Sequence, residues 1–140
     1  MDRRRKDLAM SNQAPRLYGD SKYFTIAELQ CAGTLKCAMD PKFMKALEKV
    51  REEYGKPMRV TSGYRSLEHN AKIGGAPNSQ HLHGLAVDIS CTDSFARFEL
   101  IRLGMKHGLT GFGIAQTFLH MDMRPTTPVV YFYDEKGKYK

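Results

Sequence analysis

The chain of 140 residues contains no tryptophan, only three cysteines, and no apolar run of the roughly 20 residues that would span a membrane. Its first residues, Met1–Asp7, are basic, but no apolar segment follows them, so they do not form a secretory signal. We therefore expect synthesis in the cytoplasm, and any action outside the cell would require release by another route. No membrane partner is expected.

The cysteines are Cys31, Cys37 and Cys91. An odd number without a secretory signal argues against a disulfide framework. Five residues separate Cys31 from Cys37, a spacing that also allows a second metal site or a bridge formed after export. Reduced thiols without a chemical role are the simpler prediction.

The formal net charge of +7 favours polyanionic partners such as nucleic acid or an anionic bacterial cell wall. The positive charge is concentrated at the two ends, in Arg3–Lys6 and in Lys136, Lys138 and Lys140. The middle of the chain carries no basic stripe interleaved with aromatic residues, so we expect no specific nucleic-acid partner. Solvated charged ends account for the net charge without any partner.

The length predicts one folded domain, expected at residues 21–140, after a flexible basic N-terminal arm at residues 1–20. Thr25-Ile26-Ala27-Glu28 is a capping box, which predicts a short helix. Asp40-Pro41 predicts the start of a longer helix that ends near Gly55. Ser94 predicts the cap of a third helix that reaches about Lys106 and presents apolar residues to the core.

Short strands are predicted at residues 58–62, 85–90, 111–114, 118–123 and 129–133, with a small helix at 67–73. Helices that come first and strands that come later indicate an α+β fold. We expect a small antiparallel sheet with the helices packed on one side. No internal repeat is visible.

The segment Ser79–Asp88 carries an imidazole, His81, and a carboxylate, Asp88, on a turn that leads into an apolar strand. His120 lies in a later strand, and the alternation of side chains would place it and Asp88 on one sheet face if the two strands are neighbours. Two imidazoles and a carboxylate can bind zinc and leave one coordination position open. From these residues alone, it is equally possible that the two histidines and Asp88 bind no metal and are buried side chains with hydrogen-bond partners. A buried Asp88 would in either case require a cation or several hydrogen-bond donors.

The pattern Ser79-x-His81-x-x-Gly84-x-Ala86-x-Asp88, with His120-x-Asp122 downstream, resembles the zinc D-Ala-D-Ala carboxypeptidase and L-Ala-D-Glu endopeptidase family. Enzymes of this family cut the peptides of bacterial peptidoglycan. The resemblance includes Ser62-Gly63-Tyr64-Arg65-Ser66 and covers roughly residues 23–125. It implies a zinc peptidase domain that hydrolyses an amide bond in peptidoglycan stem peptides, with Zn²⁺ bound on the sheet face by His81, Asp88 and His120.

The resemblance also implies roles for other residues around the metal. Arg65 corresponds to an arginine that contacts a carbonyl or carboxylate of the substrate and can stabilise an oxyanion. Ser79 would bind substrate or fix the loop, and both roles stay open. Asp122 would orient His120 or take part in catalysis, and His83 is a further catalytic candidate.

One part of the family pattern is missing. Members of the family place a general base two or three residues before the last metal ligand, where this chain has Thr117 and Phe118, preceded by Gln116. None of these side chains accepts a proton near neutral pH. The base is therefore unassigned, and the alternatives are His83, Asp122, His69 and Glu68.

These observations predict a monomeric zinc peptidase that acts on the cell wall as a phage-type lysin or a virion-associated lytic protein. Because the base is missing, a catalytically weak or inactive zinc-containing module that binds the cell wall is the main alternative. A basic nucleic-acid-binding protein is the second alternative.

Overall fold

The computed structural model describes residues 16–134. Residues 1–15 of the arm predicted at residues 1–20 lie outside this range, as do the basic residues Lys136, Lys138 and Lys140. Within residues 16–134, the Arg16 carbonyl oxygen accepts a backbone hydrogen bond from Ile26, and Leu17 pairs with Thr25.

The helices are α1 (Ile26–Leu29), α2 (Pro41–Tyr54), α3 (Leu67–Lys72), a 3-10 helix (Gln80–His83) and α4 (Ser94–Lys106). The strands are β1 (Val60–Ser62), β2 (Ala86–Ser90), β3 (Gly111–Ile114), β4 (Phe118–Asp122) and β5 (Val129–Phe132).

The helix boundaries follow from side chains that satisfy free backbone groups. Thr25 and Glu28 form the predicted capping box at α1, and Asp40 caps α2 by accepting a hydrogen bond from the Phe43 N–H. Gly55 ends α2 in the left-handed conformation. The predicted cap of α4 is wrong by one residue, because the Asp93 carboxylate accepts the Ala96 N–H.

The five strands within residues 16–134 form one sheet in the order β1-β2-β4-β3-β5. The α+β class is therefore confirmed. The antiparallel prediction holds for the first four strands but is wrong for β5, which pairs with β3 in parallel. The neighbouring strands β2 and β4 place Asp88 opposite His120 and Ala86 opposite Asp122.

The alternating side chains of β2 and β4 separate the core from the candidate site. Val87, Ile89, Leu119 and Met121 are all buried in the hydrophobic core, which also contains apolar residues of α2 and α4. The alternate positions, which include Asp88, His120 and Asp122, therefore face the other way.

The apolar surface predicted for α4 is only partly buried. Leu100 and Leu103 enter the core, whereas Phe95, Phe98 and Met105 are exposed. In the described part of the chain, no helix has the length and apolar character needed to cross a membrane. Cys31, Cys37 and Cys91 are free thiols in the structure.

Candidate metal centre

Three side chains that the sequence places far apart meet on the sheet face opposite the core. Oδ1 of Asp88 lies 3.2 Å from Nε2 of His81 and 3.0 Å from Nδ1 of His120. The three candidate ligand atoms all lie within 4.8 Å of one another, and all three residues are buried. The structure thus brings together the two imidazoles and the carboxylate that the sequence predicted to converge.

His81 is positioned by the 3-10 helix and by the turn that follows it. Ser79 caps this helix by accepting the backbone N–H of His81, and Gly84 ends it with a φ of 69°. The left-handed conformation at Gly84 favours glycine because a side chain there is strained. Nδ1 of His81 donates to the Gly63 carbonyl oxygen at 2.7 Å, which leaves Nε2 facing Asp88.

His120 is held by a second carboxylate on the far side of its ring. Its Nε2 lies 2.7 Å from Oδ2 of Asp122, a fully buried residue. Asp122 in turn accepts hydrogen bonds from the guanidinium of Arg124, the shortest at 2.7 Å from Nη2. The chain from Arg124 through Asp122 keeps a proton on Nε2 of His120, so Nδ1, which faces Asp88, is the ring nitrogen that would bind a metal.

The arrangement fits a tetrahedral divalent metal. Ligand bonds of roughly 2.0–2.1 Å, as in zinc sites, place neighbouring donor atoms about 3.3 Å apart. Asp88 Oδ1 lies close to that separation from both imidazole nitrogens. The second nitrogen of each ring already has an acceptor, the Gly63 carbonyl or the Asp122 carboxylate. Such outer partners are typical of metal-binding histidines.

Burial and hydrogen bonding move the pKa values of the ligand set in different directions. Burial lowers the pKa of His81, which favours the neutral ring that a metal requires. Burial also disfavours the charged form of His120, but hydrogen bonds to Asp122 and Asp88 outweigh it and raise its pKa to about 9. For Asp88, burial acts to raise the pKa, and the charge and hydrogen bonds of the two histidines prevail and lower it far below its usual value.

A cavity of about 530 Å³ opens beside this centre. Arg65, His69, Asp88 and Phe118 are among its lining residues. The guanidinium of Arg65 is held by three oxygens, at 3.1 Å from Ser62 Oγ, 3.2 Å from Asn70 Oδ1 and 3.3 Å from Asp88 Oδ2. A cavity with a fixed cation beside a metal-binding group can orient a ligand that carries a carbonyl or carboxylate oxygen.

The other predicted site residues are placed as follows. Ser79 has a structural role at the 3-10 helix, and a contact with substrate stays a prediction. His83 is exposed and stands outside the group formed by His81, Asp88 and His120. Among the alternatives for the missing base, Glu68 is exposed, whereas His69 lines the cavity.

Two features of the site were not predicted from the sequence. Arg124 anchors Asp122, and its position two residues after Asp122 on an extended segment is the signal that would have indicated a shared face. Tyr131 and Tyr133 were assigned to a strand but not to the site. The ring of Tyr131 nevertheless lies 6.1 Å from that of His120, measured between centroids.

Comparisons with known proteins agree with this geometry. A family model described as peptidase M15 matches residues 22–122, which include all three candidate ligands. The zinc D-Ala-D-Ala carboxypeptidase of Streptomyces albus G is 37% identical to this chain over 68 residues. That alignment covers 48% of this chain and 26% of the carboxypeptidase, so the chain spans about a quarter of that relative.

Proposed function

The chain belongs to the peptidase M15 family, and from that premise we propose that it is a zinc-dependent peptidase. Its substrate would be an amide bond in the stem peptides of bacterial peptidoglycan. The name of the related carboxypeptidase supports both zinc and a D-Ala-containing peptide. The single observation that carries the proposal is the convergence of His81, Asp88 and His120 beside a cavity that Arg65 lines.

We propose a role for each side chain of the centre. Nε2 of His81, Oδ1 of Asp88 and Nδ1 of His120 would hold the ion. When bound, zinc supplies Lewis acidity, which polarises an amide carbonyl and acidifies water. Three protein ligands leave a coordination position open, which is the arrangement of catalytic rather than structural zinc sites.

Arg65 would bind the substrate. Its side chain is mostly buried, and its three oxygen partners hold the planar guanidinium in one orientation at the cavity wall. A fixed guanidinium donates hydrogen bonds to a carbonyl or carboxylate oxygen without first having to order itself. The same donor stabilises negative charge that develops on a carbonyl oxygen during hydrolysis.

The proton acceptor is the least defined part of the proposed reaction. Gln116 and Thr117 are exposed and cannot accept a proton near neutral pH, and Phe118 presents an aromatic ring to the cavity. Asp122 already binds both His120 and Arg124, which suits a positioning role. Among the alternatives His83, Asp122, His69 and Glu68, we propose His69, because its side chain lines the cavity.

The absence of the usual base also favours a second candidate, a zinc-containing module that binds the cell wall without efficient turnover. Both candidates suit the net charge of +7, because the bacterial wall is anionic. For both, we propose that the protein reaches the wall after release from the cell that makes it, as a phage-type lysin or virion-associated protein would.

The test is mass spectrometry of the products released from purified peptidoglycan. Zinc-loaded wild type should release stem-peptide fragments, and the masses of these fragments identify the bond that is cut. A chelator or the substitution His81→Ala should abolish release, whereas His107→Ala, a histidine paired with Glu53 away from the site, should not. Zinc binding and wall binding without any release would instead support the non-catalytic module.

A further inference from the structure

Strand β5 lies beyond the segment 22–122 that the family model matches, yet it faces the metal centre. In the parallel pairing, Tyr131 lies beside Gly113, and Gly113 lies directly opposite His120 on β4. Side chains paired across a sheet point to the same face, and so do residues two apart along one strand. Tyr131 and Tyr133 therefore share the face of His120.

Ring contacts connect both tyrosines to side chains of the site. The Tyr131 ring is tilted against that of His120 with centroids 6.1 Å apart, and the Tyr133 ring packs edge-on against Phe118 with centroids 5.0 Å apart. Phe118 in turn lines the cavity. Gly113 makes room for the pair, because a Cβ atom there would lie 2.7 Å from ring atoms of both tyrosines.

The two phenols continue the hydrogen-bond chain that orients His120. Arg124 binds Asp122 and also hydrogen-bonds to the Tyr131 side chain, which is hydrogen-bonded to Tyr133. Each phenol oxygen can accept while its own O–H donates. The bond between the two phenols acts to lower the pKa of Tyr131 and to raise that of Tyr133, so the Tyr133 O–H donates to the Tyr131 oxygen. A substrate oxygen at the metal centre would replace Tyr131 as the acceptor of this O–H.

The surroundings of Tyr133 keep it a neutral donor. Burial raises the pKa of its hydroxyl, and the negative charge of Asp88 raises it further. The positive charge of Arg65 acts in the opposite direction, so both charged groups of the site influence Tyr133. A protonated phenol at this position can donate a hydrogen bond but cannot remove a proton at neutral pH.

We infer that Tyr133 donates a hydrogen bond to the substrate oxygen at the metal centre, and that Tyr131, its hydrogen-bond partner, is a positioning residue for it. This inference rests on the proposed peptidase function. It gives β5 a role in binding the reacting amide, and it adds a neutral donor to the cationic donor already at the cavity wall. Such a donor stabilises the oxygen most as negative charge develops on it.

The test compares Tyr133→Phe with wild type in the zinc-loaded protein. This substitution keeps the ring that packs on Phe118 and removes only the hydroxyl. We expect kcat for stem-peptide release to fall by about 10²-fold, with a much smaller change in KM, because the lost bond acts mainly in the transition state. Zinc content should stay at its wild-type value, and loss of the hydrogen bond to Tyr131 should lower the thermal midpoint only slightly. Tyr54→Phe, at a half-buried tyrosine on α2, is the matched control and should change none of these quantities.

A second readout does not depend on turnover. A phosphinate dipeptide, which mimics the tetrahedral intermediate, should bind the zinc-loaded Tyr133→Phe protein at least about tenfold more weakly than wild type by calorimetry. Equal phosphinate affinity in the two proteins, or no phosphinate binding by wild type, would overturn the inference. A third outcome separates the two proposals. If wild type binds the phosphinate, Tyr133→Phe binds it more weakly, and neither protein releases peptide, then the donor role of Tyr133 stands and the proposed hydrolysis fails.

Discussion

Asp122 and His120 are joined through the ring nitrogen that faces away from the metal centre, with Nε2 2.7 Å from Oδ2. The Asp122 carboxylate accepts the Nε2–H, so the proton that a metal displaces is the one on Nδ1, which faces Asp88. Because Asp122 is fully buried, water cannot replace it as the acceptor. The orientation of one metal ligand therefore depends on a side chain that does not belong to the ligand set.

Asp122→Asn should weaken zinc binding by about 10–100-fold, because an amide holds the His120 ring less firmly and can present the wrong hydrogen-bonding group. A competition titration with a chromophoric chelator measures the affinity. Asp20→Asn, at an exposed carboxylate, controls for the loss of one negative charge and should leave zinc affinity unchanged. Equal affinity of Asp122→Asn and wild type would show that Asp122 does not orient His120.

Zinc affinity should rise with pH through the neutral range. The pKa of His120, raised to about 9, means that the free protein holds a proton on this ring at pH 7, and zinc must displace it. His81, whose pKa is lowered, is already neutral there and adds nothing to the dependence. We expect apparent affinity to increase about tenfold per pH unit from pH 7 to pH 9 and then to level off.

Calorimetry in buffers of different ionisation enthalpy measures this proton directly. Release of about one proton per zinc ion at pH 7 is expected. A zinc affinity that does not change between pH 7 and pH 9 would contradict the assignment of a raised pKa to His120. The same charged state should stabilise the zinc-free protein below pH 6.5 and be lost as pH rises through 9, since the folded-state pKa is the higher one.

Gly84→Ala should destabilise the fold by about 2 kcal/mol or more. Its φ of 69° is unfavourable for alanine, and the added Cβ would clash with the backbone of Ala38 and Met39. Gly19→Ala separates the two effects, because Gly19 has a φ of 53° with no atom within 4 Å of the added carbon. Gly19→Ala should lower the free energy of unfolding, measured in urea, by about 1–2 kcal/mol. An equal decrease in both variants would exclude a contribution from the clash at Gly84.

Arg65→Lys should reduce kcat/KM for stem-peptide release by roughly 10²-fold with zinc content unchanged. A lysine ammonium cannot reproduce the three fixed contacts to Ser62, Asn70 and Asp88. Steady-state kinetics with a synthetic stem peptide and metal analysis of the same sample give the two values. Arg59→Lys, at an exposed arginine, is the control for the substitution itself. Full activity of Arg65→Lys would remove the arginine from substrate binding.

The sequence predicted those helices whose capping residues and pattern of apolar residues indicate the same element. Thr25 and Glu28 predicted the start of α1, and Asp40 and Gly55 predicted the two ends of α2. The strand predicted at residues 118–123 corresponds to β4, and strand geometry predicted the shared face of His120 and Asp122. The meeting of Asp88 with His120 depended on strand neighbourhood, a long-range property that the structure supplies.

Three features were not predictable from local pattern. The parallel pairing of β5 with β3 is set by tertiary packing, since alternation is the same in parallel and antiparallel strands. Helix α4 is apolar on more than one face, so periodicity did not distinguish buried Leu100 from exposed Phe98. Adjacent residues Asp93 and Ser94 are both good caps, and the sequence does not choose between them.

The bond between Arg65 Nη2 and Asp88 Oδ2 has a consequence for how the site responds to ligands. The same guanidinium lines the cavity, so an anionic ligand that pairs with Arg65 there competes with Asp88 for its positive charge and leaves more negative charge on Asp88 for the metal. Occupancy of the cavity and occupancy of the metal centre are then thermodynamically coupled. By reciprocity, the factor by which such a ligand changes the affinity for zinc equals the factor by which zinc changes the affinity for the ligand.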